Sequence, residues 1–202
     1  MKRILIALLM VVSVATVYSA GDFNTMAGLN LGYNIVSISA SGGGTTIDVL
    51  GANTLAIGAF LDFTYLRLGF AYNMTLGGLK YLGVTMSDYS MTFLNLDLVG
   101  KYPFAIGPKA SIWPAIGFLY SIALSLTYQG EEVSGADQFK KDMTDLYLKL
   151  GVGADFDVSE NIVLTPSIFY GINLSPGPNE TISGITYSGS IFQINLGVGF
   201  KF

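Results

Sequence analysis

Apolar and polar residues alternate with a period of two along most of the chain. In Leu29-Asn30-Leu31-Gly32-Tyr33-Asn34-Ile35 the odd positions are large and apolar, and the even ones are Asn or Gly. Runs of the same kind cover Leu55–Tyr65, Leu66–Met74, Leu94–Lys101, Ile112–Leu126, Leu146–Phe156, Ile162–Asn173 and Phe192–Phe202. This period marks strands with one apolar face and one polar face. With slightly stretched ends, each run reaches the roughly 9 to 11 residues of a tilted membrane-spanning strand. The pattern therefore predicts eight strands.

The connections alternate in length. Those after the first, third, fifth and seventh runs are long and polar or Gly-rich, at about residues 37–53, 75–88, 127–144 and 174–188. Those after the second, fourth and sixth runs are short, at Tyr65-Leu66, about 103–110 and about 157–161. Long loops at one end and short turns at the other describe a bacterial outer-membrane barrel. An even strand number puts both termini on the turn side, in the periplasm, with the long loops outside the cell.

The choice of faces separates this reading from its alternatives. A soluble lipid-binding barrel also alternates, but carries its apolar face inside. An eight-stranded lumen is just wide enough to be filled by side chains. The Leu, Ile, Phe and Tyr of these runs would not fit there, whereas the Gly, Ala, Ser and Asn of the other face would. Facing water, the apolar side would be a larger patch than soluble monomers expose, so it faces lipid. A two-sheet sandwich would show Lys and Glu on its outer face, where this chain has Gly and Asn. The expected fold is all-β, a transmembrane antiparallel up-and-down barrel of eight strands. Closure is required, because an unpaired strand edge in hydrocarbon costs several kcal/mol per polar group.

Composition agrees. Hydrophobic residues make up 51% and charged residues 12%, against about 25% charged in an ordinary soluble domain. After residue 20 no apolar run approaches the roughly 18 residues of a spanning helix. The first twenty residues differ in kind. Lys2 and Arg3 precede the apolar Ile4–Val12, and Val14–Ala20 are mostly small. This is a signal-peptide layout, cleaved after Ser19 or Ala20, with an N-terminal anchor as the alternative. The expected organisation is residues 1–20 as signal peptide and 21–202 as one barrel domain. Loss of Lys2 and Arg3 takes the formal charge from −4 to −6, which argues against nucleic-acid partners.

Aromatic residues fall into two bands on the outer face. Tyr33, Tyr72, Tyr120, Tyr170 and Phe192 lie toward the loop end. Phe63, Tyr65, Tyr102, Phe104, Phe156, Phe200 and Phe202 lie toward the turn end. Such girdles mark the two membrane interfaces. The chain ends Phe200-Lys201-Phe202, which resembles the C-terminal assembly signal of outer-membrane barrels and implies the barrel-assembly machinery as a partner. Lys101-Tyr102-Pro103-Phe104 followed by Trp113-Pro114-Ala115-Ile116-Gly117 resembles the middle of OmpW-like and related outer-membrane β-barrel domain proteins. The resemblance implies an association with the passage of small apolar molecules.

The chain has no His and no Cys, which removes Ser-His-Asp and Cys-His catalysis and the usual zinc sites. No enzyme activity, metal or cofactor is expected. Glu131-Glu132 and Asp142/Asp145 read as solvated loop acids. Gly42-Gly43-Gly44 lacks the Gly-Lys-Ser/Thr of a phosphate loop. Asn179-Glu180-Thr181 fits a glycosylation pattern that is common by chance.

The lumen face carries the candidate sites. Asp62, Arg67, Asp97, Lys101, Asp145, Lys149, Asp155 and Lys201 should point inward. Equal numbers of acids and bases suggest pairing, either as a structural network or as a selectivity constriction. Nearer the loops, Met91, Phe93, Leu119, Tyr147, Phe169 and Ile191 should point inward as lumen filling or as an apolar pocket, with Leu76, Leu79, Tyr81, Leu82 and Val84 as a cap. Two functions stay open. One is a narrow channel or binding barrel for small hydrophobic molecules. The other is a structural or surface barrel whose loops meet host molecules.

Overall fold

The computed structural model describes residues 25–174 and 185–202. The expected signal peptide, the Asn179 pattern and most of the last long connection lie outside them.

Eight long strands form the wall: β1 (Thr25–Gly42), β2 (Thr45–Phe63), β3 (Leu66–Tyr81), β5 (Tyr89–Lys101), β7 (Ala110–Tyr128), β9 (Asp145–Asp157), β10 (Ile162–Asn173) and β11 (Thr186–Lys201). Three short strands, β4 (Val84–Met86), β6 (Phe104–Gly107) and β8 (Glu131–Glu132), and one helix, α1 (Asp137–Asp142), decorate the rims. Sequential strands pair antiparallel, and β1 pairs with both β2 and β11, closing the ring. The eight-stranded barrel read from the alternation is the fold.

Parity follows the same reading. On β1, Leu29, Leu31, Tyr33 and Ile35 are exposed on the outside, while Gly32 and Asn34 are buried inside. Phe70 and Tyr72, Ile116 to Tyr120, Ile168 to Ile172 and Ile194 to Phe200 continue the apolar belt on other strands. Of the aromatic bands, Tyr33, Tyr72, Tyr120 and Tyr170 at one end and Tyr65, Tyr102, Phe104, Phe156, Phe200 and Phe202 at the other are exposed. Phe63 and Phe192 are only half-buried.

Three connections differ from the expectation of long loops. Residues 37–53 are almost entirely strand, with the chain reversing at Gly43-Gly44, both at positive φ. Residues 75–88 hold the end of β3 and all of β4, and 127–144 hold β8 and α1. The sheet simply continues past the belt, because its strands stay paired when their outer residues become polar. Leu126, expected outside, is buried. A register shift between Thr92 and Phe93 leaves Leu124 as an extra residue on β7, and the bulge turns the following side chains to the other face.

Above the belt the two faces exchange character. Outward positions become Ser37, Ser39 and Ser41 on β1, paired with Ser190, Ser188 and Thr186 on β11. Ser39 Oγ donates to Asp48 Oδ1 at 2.8 Å, and Ser41 Oγ lies 2.9 Å from Thr46 Oγ1. Inward positions become Val36, Ile38 and Ala40, with Leu50 paired to Ile38 and Ile47 to Ala40. Tyr81 shares this inner face, paired with both Leu50 and Val84.

Candidate functional site

The lumen is built in tiers. At the turn end a polar cavity of about 210 Å³ opens between Met26, Lys101, Lys109, Asp155, Asp157 and Lys201. Lys201 Nζ pairs with Asp157 Oδ1 at 2.6 Å. Asp157 is a lumen acid the alternation missed, since it falls one residue past the apolar run of β9.

A charged floor closes this cavity from above. Arg67 Nε lies 2.6 Å from Asp62 Oδ2, and Lys101 Nζ lies 2.9 Å from the same oxygen. Asp155 takes Lys101 at 3.2 Å and Arg67 at 3.7 Å. Arg67 also donates to Thr165 Oγ1 at 2.9 Å. Its guanidinium stacks 4.5 Å from the Phe60 ring and 4.9 Å from the fully buried Trp113. The rings fit because glycines face them. A Cβ on Gly153 would lie 2.2 Å from Trp113 Cη2, and one on Gly28 would lie 2.5 Å from Phe60 Cζ. Four charges and two rings crowd the lumen at this level, with a hollow of about 50 Å³ beside Phe60 and Arg67.

The next tier is polar. Lys149 Nζ pairs with Asp97 and donates to Gln193 Oε1 at 3.2 Å. Gln193 donates to Asn34 at 3.3 Å, and Asn34 donates to Thr54 at 3.1 Å and to Asn73 at 2.7 Å. This ladder satisfies buried amides across the barrel. Phe169 belongs here rather than near the loops. Its ring lies 6.3 Å from Trp113 and beneath Lys149 Nζ at 4.2 Å.

The top tier is apolar. Ala52, Leu79, Met91, Ala123, Leu126 and Ala136 pack together, with Phe93, Val133 and Met143 against them. Leu119, Tyr147 and Ile191 form a second cluster. Met91, Phe93, Tyr147 and Ile191, four of the expected pocket residues, line one hollow of about 30 Å³ with Val36, Ile38 and Leu50. Leu119 packs on Tyr147 and Ile191 but does not line the hollow, and Phe169 is absent from it.

A cap closes the top tier. Val133, Ala136 and Met143 reach in from the segment containing β8 and α1, with Gly130 and Gly135 at positive φ on either side of β8. Lys140 Nζ braces the cap at 3.1 Å from Asp137 and 3.3 Å from Glu132. Its hydrogen bonds to these two carboxylates, Asp137 first, hold its pKa above the ordinary lysine value.

Of the eight charges expected in the lumen, all but Asp145 form ion pairs. Asp145 receives Tyr147 Oη at 3.1 Å and Asn173 Nδ2 at 2.7 Å. Trp113, Phe60, Asn34 and Gln193 are central to the lumen and were not singled out from the sequence. A Trp among small residues on an inward face was the available signal for the first. Among the described residues, no group of three or more acids is arranged to hold a metal ion, and no helix is long and apolar enough to cross a membrane.

The model of the outer membrane protein beta-barrel domain matches residues 4–202. No curated protein matches the chain. Similar solved structures include Neisserial surface protein A, at 16% identity and a TM-score of 0.45, covering 87% of this chain and 99% of that one. OprG from Pseudomonas aeruginosa is 12% identical with a TM-score of 0.47, covering 90% and 98%. Ail of Yersinia pestis, in complex with the heparin analogue sucrose octasulfate, is 15% identical with a TM-score of 0.37, covering 88% and 99%.

Proposed function

Since the chain belongs to the outer membrane protein beta-barrel domain family, we propose that it binds small hydrophobic molecules at its loop end, without conducting salt through an open lumen. The observation that carries this reading is the exchange of faces above the belt. Val36, Ile38, Leu50, Leu79, Met91 and Phe93 turn an apolar surface into a cup, while Ser37, Ser39 and Ser41 face water. Protein ligand sites are concave and largely apolar with a few polar groups, and this cup has that character.

The cup as folded measures about 30 Å³, well short of the roughly 150 Å³ of a cavity that takes up benzene. Binding therefore displaces the cap, with Ala136 and Met143 leaving the places a ligand takes and Gly130 and Gly135 absorbing the backbone change. The charged floor below separates the cup from the turn-end cavity. In this reading the long-loop end faces outside the cell, the termini face the periplasm, and the barrel-assembly machinery inserts the closing strand through its Phe200 and Phe202 pattern. No catalytic role is proposed for any residue.

The test uses refolded protein in lipid nanodiscs, with toluene as the probe and protein NMR shifts as the readout. Toluene should perturb residues around Met91 and Ile191. Phe93→Asp should abolish the response, because a carboxylate makes the cup polar. Phe169→Asp, two tiers from the cap, should leave it largely intact. Planar-bilayer recordings should show little steady salt conductance. A large open conductance, or no toluene response, would defeat the proposal.

A contact role at the cell surface rests on a different observation. The tip of the β3–β4 hairpin presents Tyr81, Leu82 and Val84 to solvent, with Leu82 at φ 48. An exposed Leu in the left-handed region stores strain, and strain persists at sites that use it.

A further inference from the structure

The base of the cup holds a carboxylate without a cation. Asp145 is buried and lines the hollow, and no Lys or Arg shares that lining. Its hydrogen bonds come from two neutral groups, the Tyr147 hydroxyl and the Asn173 amide. Among the described residues it makes no salt bridge, although Lys149 lies on the same strand. Lys149 is held instead by Asp97 and Gln193.

A second polar side chain without a cation lines the same space. Asn95 is 3% exposed, lines the hollow, and its Oδ1 has no hydrogen-bond partner. Register places the two together. Asn95 on β5 pairs with Ser121 on β7, and Ser121 pairs with Asp145 on β9. These three inward side chains form one cross-strand row, and all three line the hollow. Neighbouring strands lie about 4.8 Å apart, so the row offers an anionic acceptor, a hydroxyl and an amide acceptor along roughly 10 Å of wall.

The geometry points to a site in the cup for apolar molecules that end in a protonated amine, with the ammonium group seated against Asp145 and the Ser121 hydroxyl, and the Asn95 side chain next along the row. This deepens the cup reading and rests on it. A buried carboxylate held by neutral donors keeps an uncompensated charge, and a ligand cation compensates it. An ammonium has three donors and no acceptor, which matches a row rich in acceptors. The hollow of about 30 Å³ has room for a small headgroup such as an ammonium but not for the whole ligand, whose apolar remainder would take the space the cap vacates.

The experiment compares toluene, benzylamine, benzyl alcohol and phenylacetate on the full barrel in neutral-lipid nanodiscs at neutral pH, with NMR titration as the readout. Benzylamine should bind about tenfold more tightly than benzyl alcohol, the factor expected of one charge-assisted hydrogen bond. Phenylacetate should bind most weakly. Asp145→Asn should bring amine and alcohol within about twofold of each other, while toluene still binds. Asn95→Asp should increase the preference for the amine. Heat-modifiable gel mobility reports whether each variant folds. If Asp145→Asn fails to fold, the amine-to-alcohol ratio of the unmodified protein and the Asn95→Asp response decide. Equal binding of amine and alcohol with toluene bound would overturn this inference and leave the cup reading standing. An amine preference unchanged by Asp145→Asn would also overturn it. Absence of toluene binding would defeat the cup reading, and this inference with it.

Discussion

Below the level of Ile35 the barrel wall is apolar outside and carries ion pairs and amides around a few packed rings inside, and above it β1 and its partners turn polar residues outward and apolar ones inward. The lower part carries Leu29, Leu31 and Tyr33 outward and Asn34 inward. The upper part carries Ser37 and Ser39 outward and Val36 and Ile38 inward. The same strands, with continuous pairing, serve two solvents in turn. A β-ladder is indifferent to which face is apolar, because its hydrogen bonds lie in the sheet and its side chains project from it. Each stretch of strand therefore takes its polarity from what surrounds it. The lower lumen can be filled with ion pairs because lipid, not a hydrophobic core, receives the apolar side chains.

The largest expected effect comes from breaking the lower lumen. Asp62→Leu leaves Arg67 and Lys101 sharing Asp155 alone. Removal of one partner from a buried ion-pair network costs about 3–5 kcal/mol. Urea unfolding in lipid vesicles should show a loss of that order, and a loss below about 1 kcal/mol, the value typical of exposed pairs, would mean the network is solvated.

Position along one strand direction sharpens the comparison. Leu96→Arg and Ile194→Arg put a charge on the outer face of the belt and should each cost about 2–4 kcal/mol. Ser39→Arg, outward but above the belt, should stay within about 0.5 kcal/mol, as for ordinary surface changes. Equal costs at the two levels would erase the proposed boundary.

Packing of the charged floor gives a smaller effect. Gly153→Ala forces Trp113 away from its place, and overpacking of this kind costs about 1–3 kcal/mol. Trp113 is the single Trp of the chain, so its fluorescence should shift with the substitution. An unchanged spectrum and stability would show that the ring is loosely held.

The smallest effect has the opposite sign. Leu82→Gly relieves a left-handed Leu at an exposed tip and should stabilise by about 1 kcal/mol. A loss of stability would mean that Leu82 makes contacts which outweigh its backbone strain.

Parity and strand number were legible because the lower wall alternates cleanly, as in Leu29 to Ile35. The upper wall was not, for a physical reason. Residues 37–53 also alternate, but Ser37, Ser39 and Ser41 occupy the face that Leu and Tyr held below, and the change of sign reads as loss of pattern. The bulge at Leu124 hid the burial of Leu126, because one inserted residue reverses every later assignment. Equal numbers of acids and bases suggest pairing in the lumen, yet which acid meets which base was beyond reach. Asp62 meets Lys101, and Asp97 meets Lys149, across strands whose spacing depends on shear and tilt. Phe169 was assigned to the loop end by its place in the run, whereas its contact with Trp113 depends on how the inclined strands cross the lumen.

Closure of the ring by β1 and β11 has a kinetic consequence. The first and last strands are partners along their whole length, from Met26 opposite Lys201 to Ser41 opposite Thr186. These contacts have nearly the greatest sequence separation the chain allows, and folding slows as such contacts dominate. Until the last strand exists, β1 has an open edge and no native neighbour on that side. An unpaired edge invites pairing with other chains. The barrel cannot close before β11 reaches β1, and over that interval the open edge needs shielding from other copies of the chain.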